Sequence, residues 1–152
     1  MAMIKWTMAA LAIAVSAGVA FAAATGADAI KERRALMKID GDVSKPIVPM
    51  LKGQAPFDLA IVQKALKTYQ NAAAKSPDLF PPDSKTGDTN ALPAIWEDDN
   101  KADLDARFKK MGEEATAALA SVKDAASFKA IMPDFYKNNC GGCHEKYKAK
   151  QQ

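Results

Sequence analysis

The sequence predicts an all-α fold, an antiparallel four-helix bundle with a long loop between its second and third helices. Three observations carry that expectation. Alanine is abundant and glycine sparse, with 8 glycines in 152 residues. No segment alternates apolar and polar residues with period two, as a half-buried strand would. Apolar residues instead recur at three- and four-residue steps, and two short connections and one long one separate the periodic stretches.

The first element is an address. Met1 to Lys5 is short and carries one positive charge, Lys5. Trp6 to Val19 holds no charged residue, and the small residues Ala20-Phe21-Ala22-Ala23-Ala24 follow. This is the tripartite pattern of a cleavable secretory signal, residues 1–22, with the cut after Ala22 or Ala24. An uncleaved anchor is the alternative, because the apolar run nearly suffices to span a bilayer. No second stretch is apolar enough to cross one.

Residues 23–152 then form a single domain. Ala27 to about Leu51 is the first helix, with Ile30, Leu36, Met37, Val43, Ile47 and Met50 on its apolar face. Pro46 and Pro49 should kink or end it. Gly53 to Pro56 is a turn. Asp58 can cap the second helix, where Leu59, Val62, Leu66, Tyr69 and Ala73 recur at helical spacing. Ser76 to Trp96 contains five prolines and glycines without periodicity and reads as a crossover loop. The third helix has the clearest seam: Leu104, Phe108, Met111, Ala115, Ala118 and Val122 alternate steps of four and three. Asp124 or Ser127 can cap the fourth, with Phe128, Ile131, Met132 and Phe135 on one face. Pro133 belongs near its first turn or at a local bend.

Composition narrows the function. Hydrophobic residues make up 49% and charged residues 26%, ordinary globular usage that argues against a disordered or fibrous chain. Lys plus Arg is 21 against 18 acidic residues, too even for a nucleic-acid binder. Two cysteines and one histidine argue against a disulfide scaffold and a four-ligand zinc site. No nucleophile–base pair or paired carboxylates stand out, so no enzyme is expected.

The three rare residues lie together in Cys140-Gly141-Gly142-Cys143-His144, the C-x-x-C-H pattern of covalent haem attachment. On a helix, positions i, i+3 and i+4 share a face. Cys140 and Cys143 can each form a thioether with a haem vinyl group, while His144 offers a nitrogen to the iron. Gly141 and Gly142 keep the spacer small. A thiol–disulfide pair is the main rival, but the βαβ unit that usually carries one is missing. A structural disulfide would leave the position of the only histidine unexplained. Export suits haem c, which is attached outside the bacterial cytoplasm.

A C-terminal C-x-x-C-H after four helices resembles the cytochrome c′ family. The resemblance extends through Arg33 to Lys38 (RRALMK), Leu51 to Asp58 (LKGQAPFD), Leu79 to Gly87 (LFPPDSKTG), Leu92 to Asp98 (LPAIWED) and Glu145 to Lys148 (EKYK). It implies a four-helix bundle with one covalent haem c in its core and a periplasmic location. It maps Met37 onto the first-helix residue facing the haem opposite His144. High-spin members carry an apolar non-ligand there and leave the iron five-coordinate, open to nitric oxide or carbon monoxide. Low-spin relatives carry a ligating methionine suited to electron transfer. From the residues alone, core filling is the plain reading of such a methionine. With the register match, the expectation is an electron carrier with His144/Met37 ligation.

The resemblance also implies that Arg33 reaches a haem propionate, with a solvated cation as the alternative. Trp96 matches a loop tryptophan near the haem, although plain core packing explains it equally. Lys148 stands where many relatives carry arginine, which leaves open how that side tunes the imidazole. Lys137, Lys146, Lys148 and Lys150 surround the haem-bearing helix. They could dock an acidic redox protein, though plain solvated charge is slightly favoured. Relatives often dimerise through their first two helices, so a homodimer is among the expectations.

Overall fold

The computed structural model describes residues 25–97 and 99–150. The expected export segment, residues 1–22, lies outside them. Helix α1 spans Gly26–Ser44 and begins with a capping box, in which Thr25 and Asp28 each accept from the other's backbone N–H. Two residues after α1 ends, Pro46 precedes a short helix α2, Ile47–Leu51. Gly53, at φ 69, then turns the chain through a conformation that costs other residues energy. Helix α3 spans Leu59–Lys75, and the Asp58 carboxylate accepts from Ala60 and Ile61 N–H at 2.9 and 3.1 Å.

Helix α4 spans Asn100–Ser121 and α5 spans Ala125–Phe135. Both residues expected to cap α5 do so together: Asp124 accepts from the Ser127 N–H, and Ser127 Oγ accepts from the Asp124 N–H. The chain then runs without interruption through a π-helical segment, Tyr136–Gly141, into helix α6, Gly142–Tyr147. These three pieces make the fourth helix of the bundle. Pro133 lies inside α5 rather than in its first turn, and the widened segment follows it at once. Lacking an N–H, Pro133 cannot bond the carbonyl one turn back, which loosens the helix where the register changes.

The third-helix seam holds throughout: Leu104, Phe108, Met111, Ala115, Ala118 and Val122 are all buried. They meet Val62, Leu66, Tyr69 and Ala73 of α3, which packs most extensively on α4 and next on α1. Phe128, Met132 and Phe135 close the core from the fourth helix. Met37, Val43 and Leu59, expected on buried faces, are only half-buried. The crossover is more regular than its prolines suggested. It folds as three single turns of 3-10 helix, Ser76–Leu79, Pro82–Ser84 and Pro93–Trp96, each with proline at its first or second position. Among the described residues no helix is long and apolar enough to cross a membrane.

Candidate cofactor site

Cys140 lies in the π-helical segment, and Cys143 and His144 lie in the first turn of α6. The Gly142 N–H reaches back five residues to the Lys137 carbonyl. Both thiols are free and half-buried. Burial, then Asp40 and Cys143, pushes the Cys140 thiol up to about 11. Burial also raises Cys143, against the pull of Arg107. A thiol–disulfide module needs the opposite, a thiol that ionises easily. The paired cysteines are therefore poor redox thiols and are held as neutral S–H groups.

The His144 side chain is exposed, yet enough protein crowds the ring for desolvation, and then Lys148, to hold its pKa below the usual range. The imidazole is thus neutral at physiological pH, with a lone pair to give. A side-chain carbon on Gly141 or Gly142 would meet its nearest neighbours at 3.7 Å, an ordinary contact. The protein's own packing does not require these glycines, which leaves the room they spare for something else.

The far end of α6 is fixed from two sides. Tyr147 is buried, and its hydroxyl donates to the Asp103 carboxylate and to the Asn100 carbonyl. The crossover grips the backbone: Leu92 N–H donates to Tyr147 O at 2.9 Å and Ala149 N–H to Asn90 O at 2.8 Å. Asp103 also accepts from Arg107 Nε at 2.8 Å and Lys146 Nζ at 3.1 Å. The Tyr147 hydroxyl first, then Arg107, holds its carboxyl well below the carboxylate range. Lys146 is thereby tied down, and Lys148 is half-buried beside the crossover, whereas Lys137 and Lys150 are exposed.

Opposite stands one stripe of α1: Arg33, Met37, Asp40 and Ser44, at steps of four, three and four. Arg33 is buried and donates to the carbonyls of Leu79 and Ser84, at 3.0 and 2.9 Å, and to the hydroxyls of Ser84 and Thr89. Its guanidinium lies over the rings of Phe80 and Trp96, 4.9 and 5.7 Å from their centroids. The Trp96 indole N–H donates to the carbonyls of Phe80 and Pro81. The structure thus brings Arg33 and Trp96 together as the clamp that folds the crossover onto α1. Among the described residues no carboxylate is a hydrogen-bond partner of Arg33; its acceptors there are neutral, and burial lowers its pKa.

At the other end of the stripe, Ser44 Oγ lies 2.7 Å from Tyr69 OH, which lies 2.6 Å from Tyr136 OH on the fourth helix. Between the two anchors sits Met37, and one turn on is Asp40, whose Oδ1 is buried without a partner. Sequence reasoning missed Asp40, Arg107 and the tyrosine pair. The signal for Asp40 was its place in the same helical stripe as Met37.

These features fit a haem: two neutral thiols and a neutral imidazole on one helix, a thioether on another, and a buried cation that has no carboxylate partner among the described residues and that a propionate would suit. Among the described residues no three His, Cys, Asp or Glu side chains converge as a metal cage. A porphyrin brings its own equatorial nitrogens and asks the protein only for axial ligands.

Comparison with known proteins agrees. The family model described as Cytochrome C' matches residues 28–148. The chain is 47% identical to a cytochrome c′ of Rhodopseudomonas palustris, over 97% of this chain and 99% of that one. It is 37% identical to a cytochrome c-556 of Agrobacterium tumefaciens, over 80% of this chain and 98% of the relative. A solved structure of cytochrome c′ from Rhodopseudomonas palustris superposes with a TM-score of 0.76 at 48% identity, covering 82% of this chain and 98% of that chain.

Proposed function

The chain belongs to the cytochrome c′ family and carries covalently bound haem c in a four-helix bundle, and from that premise we propose that it transfers single electrons, with His144 and Met37 as the axial ligands of the iron. Haem c supplies an iron that gains and loses one electron. Cys140 and Cys143 anchor it through thioethers, so that it stays in place whatever the pocket does. His144 binds the iron as a neutral imidazole from the same helix. Met37 adds a soft, neutral sulfur that favours Fe(II) and keeps the iron low-spin, with little change of geometry between oxidation states. Arg33 faces a propionate, which completes the charge of a buried cation, and Trp96 packs beside it.

One observation carries this reading. Met37 sits in the middle of the α1 stripe whose ends are fixed to the crossover by Arg33 and toward the fourth helix by Ser44 and Tyr69. The native absorption spectrum tests it. Low-spin haem in both oxidation states is expected, with slow carbon monoxide binding. A high-spin ferrous protein that binds carbon monoxide at once would overturn it. That result would favour the second reading, a five-coordinate cytochrome c′ binding nitric oxide or carbon monoxide, which the 47% identity to a cytochrome c′ supports.

Export to the periplasm goes with this function, through cleavage of residues 1–22. The mass of the mature holoprotein checks it: a mass that retains Met1 to Val19 would make the chain membrane-anchored. The partner is a redox protein; Lys137, Lys146 and Lys150 are the exposed members of the basic cluster, and Lys146 is already paired with Asp103, which leaves Lys137 and Lys150 to meet acidic groups. Self-association through α1 and α3 would place two copies side by side, and sedimentation of the holoprotein would reveal it.

A further inference from the structure

We propose that Asp40 is a proton-binding site coupled to the haem: it releases a proton to solvent as an electron leaves the iron for a redox-protein partner, and regains it as the electron returns. One electron and one proton move together, and no bond within the protein is made or broken.

The geometry comes first. Asp40 follows Met37 by three residues on the face of α1 that turns toward the fourth helix. Its Oδ1 is buried and has no hydrogen-bond partner, which is costly for a carboxylate and rare without a purpose. The hydroxyl chain beside it does not supply one. Ser44 Oγ spends its hydrogen on the backbone carbonyl of Asp40 at 2.7 Å, so it must accept from Tyr69, and Tyr69 from Tyr136. All three hydroxyl hydrogens are thereby committed along a line that ends on the Asp40 backbone and bypasses its carboxyl.

Among the described residues no cation is paired with the group either. On α1, Lys38 and Lys45 both hold Asp42 at 2.7 Å, on the exposed side of the helix. From α3 the titratable neighbour is Tyr69, and from the fourth helix Tyr136 and Cys140. The tyrosines are raised by burial and stay neutral, and Cys140 becomes a thioether in the holoprotein. Burial alone pushes the Asp40 carboxyl up to about 7. The Asp40 carboxylate is in turn the second cause, after burial, of the raised Cys140 thiol, which puts the two groups near one another. The carboxyl is therefore close to a haem anchor, near half-ionised at neutral pH, and without a local counter-ion. A positive charge gained by the iron on oxidation then stabilises the carboxylate and expels the proton.

The proposal needs haem c but not Met37 ligation. Its test is the midpoint potential of the holoprotein against pH, by spectroelectrochemistry. The potential of the native protein should fall through the neutral range, with a slope approaching about 59 mV for each tenfold change in proton activity. Asp40→Asn should be flat over that range. A reduced-minus-oxidised infrared spectrum should contain the carbonyl stretch of a protonated carboxylic acid, lost in the variant. A flat native potential, or an unchanged slope in Asp40→Asn, would assign any proton uptake elsewhere, such as to the propionates, and overturn the proposal. Should the asparagine variant not accumulate, Asp40→Glu must move the pH at which the slope sets in, and an unmoved onset would equally overturn it. The ferrous spin state, read from the same samples, reports on Met37 separately.

Discussion

A neutral sulfur and a titratable carboxyl stand one turn apart on α1, and in the proposed roles they would act on the haem in opposite ways. A ligating Met37 would favour Fe(II); an ionised Asp40 would favour Fe(III). Met37→Ala should open the sixth position. Its ferrous form should turn high-spin and bind carbon monoxide at least tenfold faster, and its potential should fall, all checked by absorption and stopped flow. The bundle should survive, with a loss of about 2 kcal/mol for a half-buried methionine. Asp40 carries a separate expectation for stability. Its folded-state pKa lies above the unfolded value of 3.8, at about 7. Between those values the folded chain binds more protons, so stability is full below the unfolded pKa and is lost as pH rises through the folded one. Thermal melts of the holoprotein between roughly pH 5 and 8 should decline by a few kcal/mol at most, and Asp40→Asn should remove the decline. At this scale the sequence was uneven. The C-x-x-C-H pattern of Cys140, Cys143 and His144 stands out in the sequence because it is written in local spacing. The significance of Asp40 does not stand out, because one acid among the several charged residues of α1 gives no sign of whether its oxygen finds a partner.

Elements read well where they are governed by neighbours in the chain. Asp58 and Asp124 cap their helices because a carboxylate there reaches N–H groups two or three residues on. The α4 seam is legible for the same reason, since its period follows from helix geometry. The π-helical segment was not, because it depends on the fit of Tyr136 and Asn139 against α3 and α4 as well as on Pro133. Nor was the order in the crossover, whose rigidity comes from Arg33, a residue 46 to 56 positions away along the chain. Replacing Arg33 by Met keeps the bulk but strands the Leu79 and Ser84 carbonyls and the Ser84 hydroxyl. We expect a loss of about 2–4 kcal/mol, seen as a lower midpoint in urea. Hydrogen exchange should accelerate in residues 76–96 before it does in α3 or α4. Arg33→Lys should recover little, since an ammonium cannot reproduce the planar fork that meets acceptors on both nitrogens.

The bundle as a whole is unevenly held. Its most extensive contact joins α3 to α4, followed by α1 to α3, whereas α5 touches α4 and α2 and the π-helical segment touches α4 more sparingly. The fourth helix is thus the one least supported by protein, and it is also the one that carries Cys140, Cys143 and His144 of the C-x-x-C-H motif. Haem c bonded there and seated against α1, as proposed, would supply the missing packing surface. The core built by Val62, Leu66, Leu104 and Phe108 should form without it, because these residues are buried against one another across the α3–α4 contact. The fourth helix should not dock firmly. Changing Cys140 and Cys143 together to Ala removes both anchors while keeping small side chains at half-buried positions. The haem-free product should keep most of its helical circular dichroism but melt broadly, with a midpoint lower by about 10 °C or more. Amide protection should fall first from Phe128 through Tyr147. A haem-free variant with the native midpoint and the native sharpness would mean that the four helices close upon themselves, and that the haem is a passenger in the fold rather than part of its core.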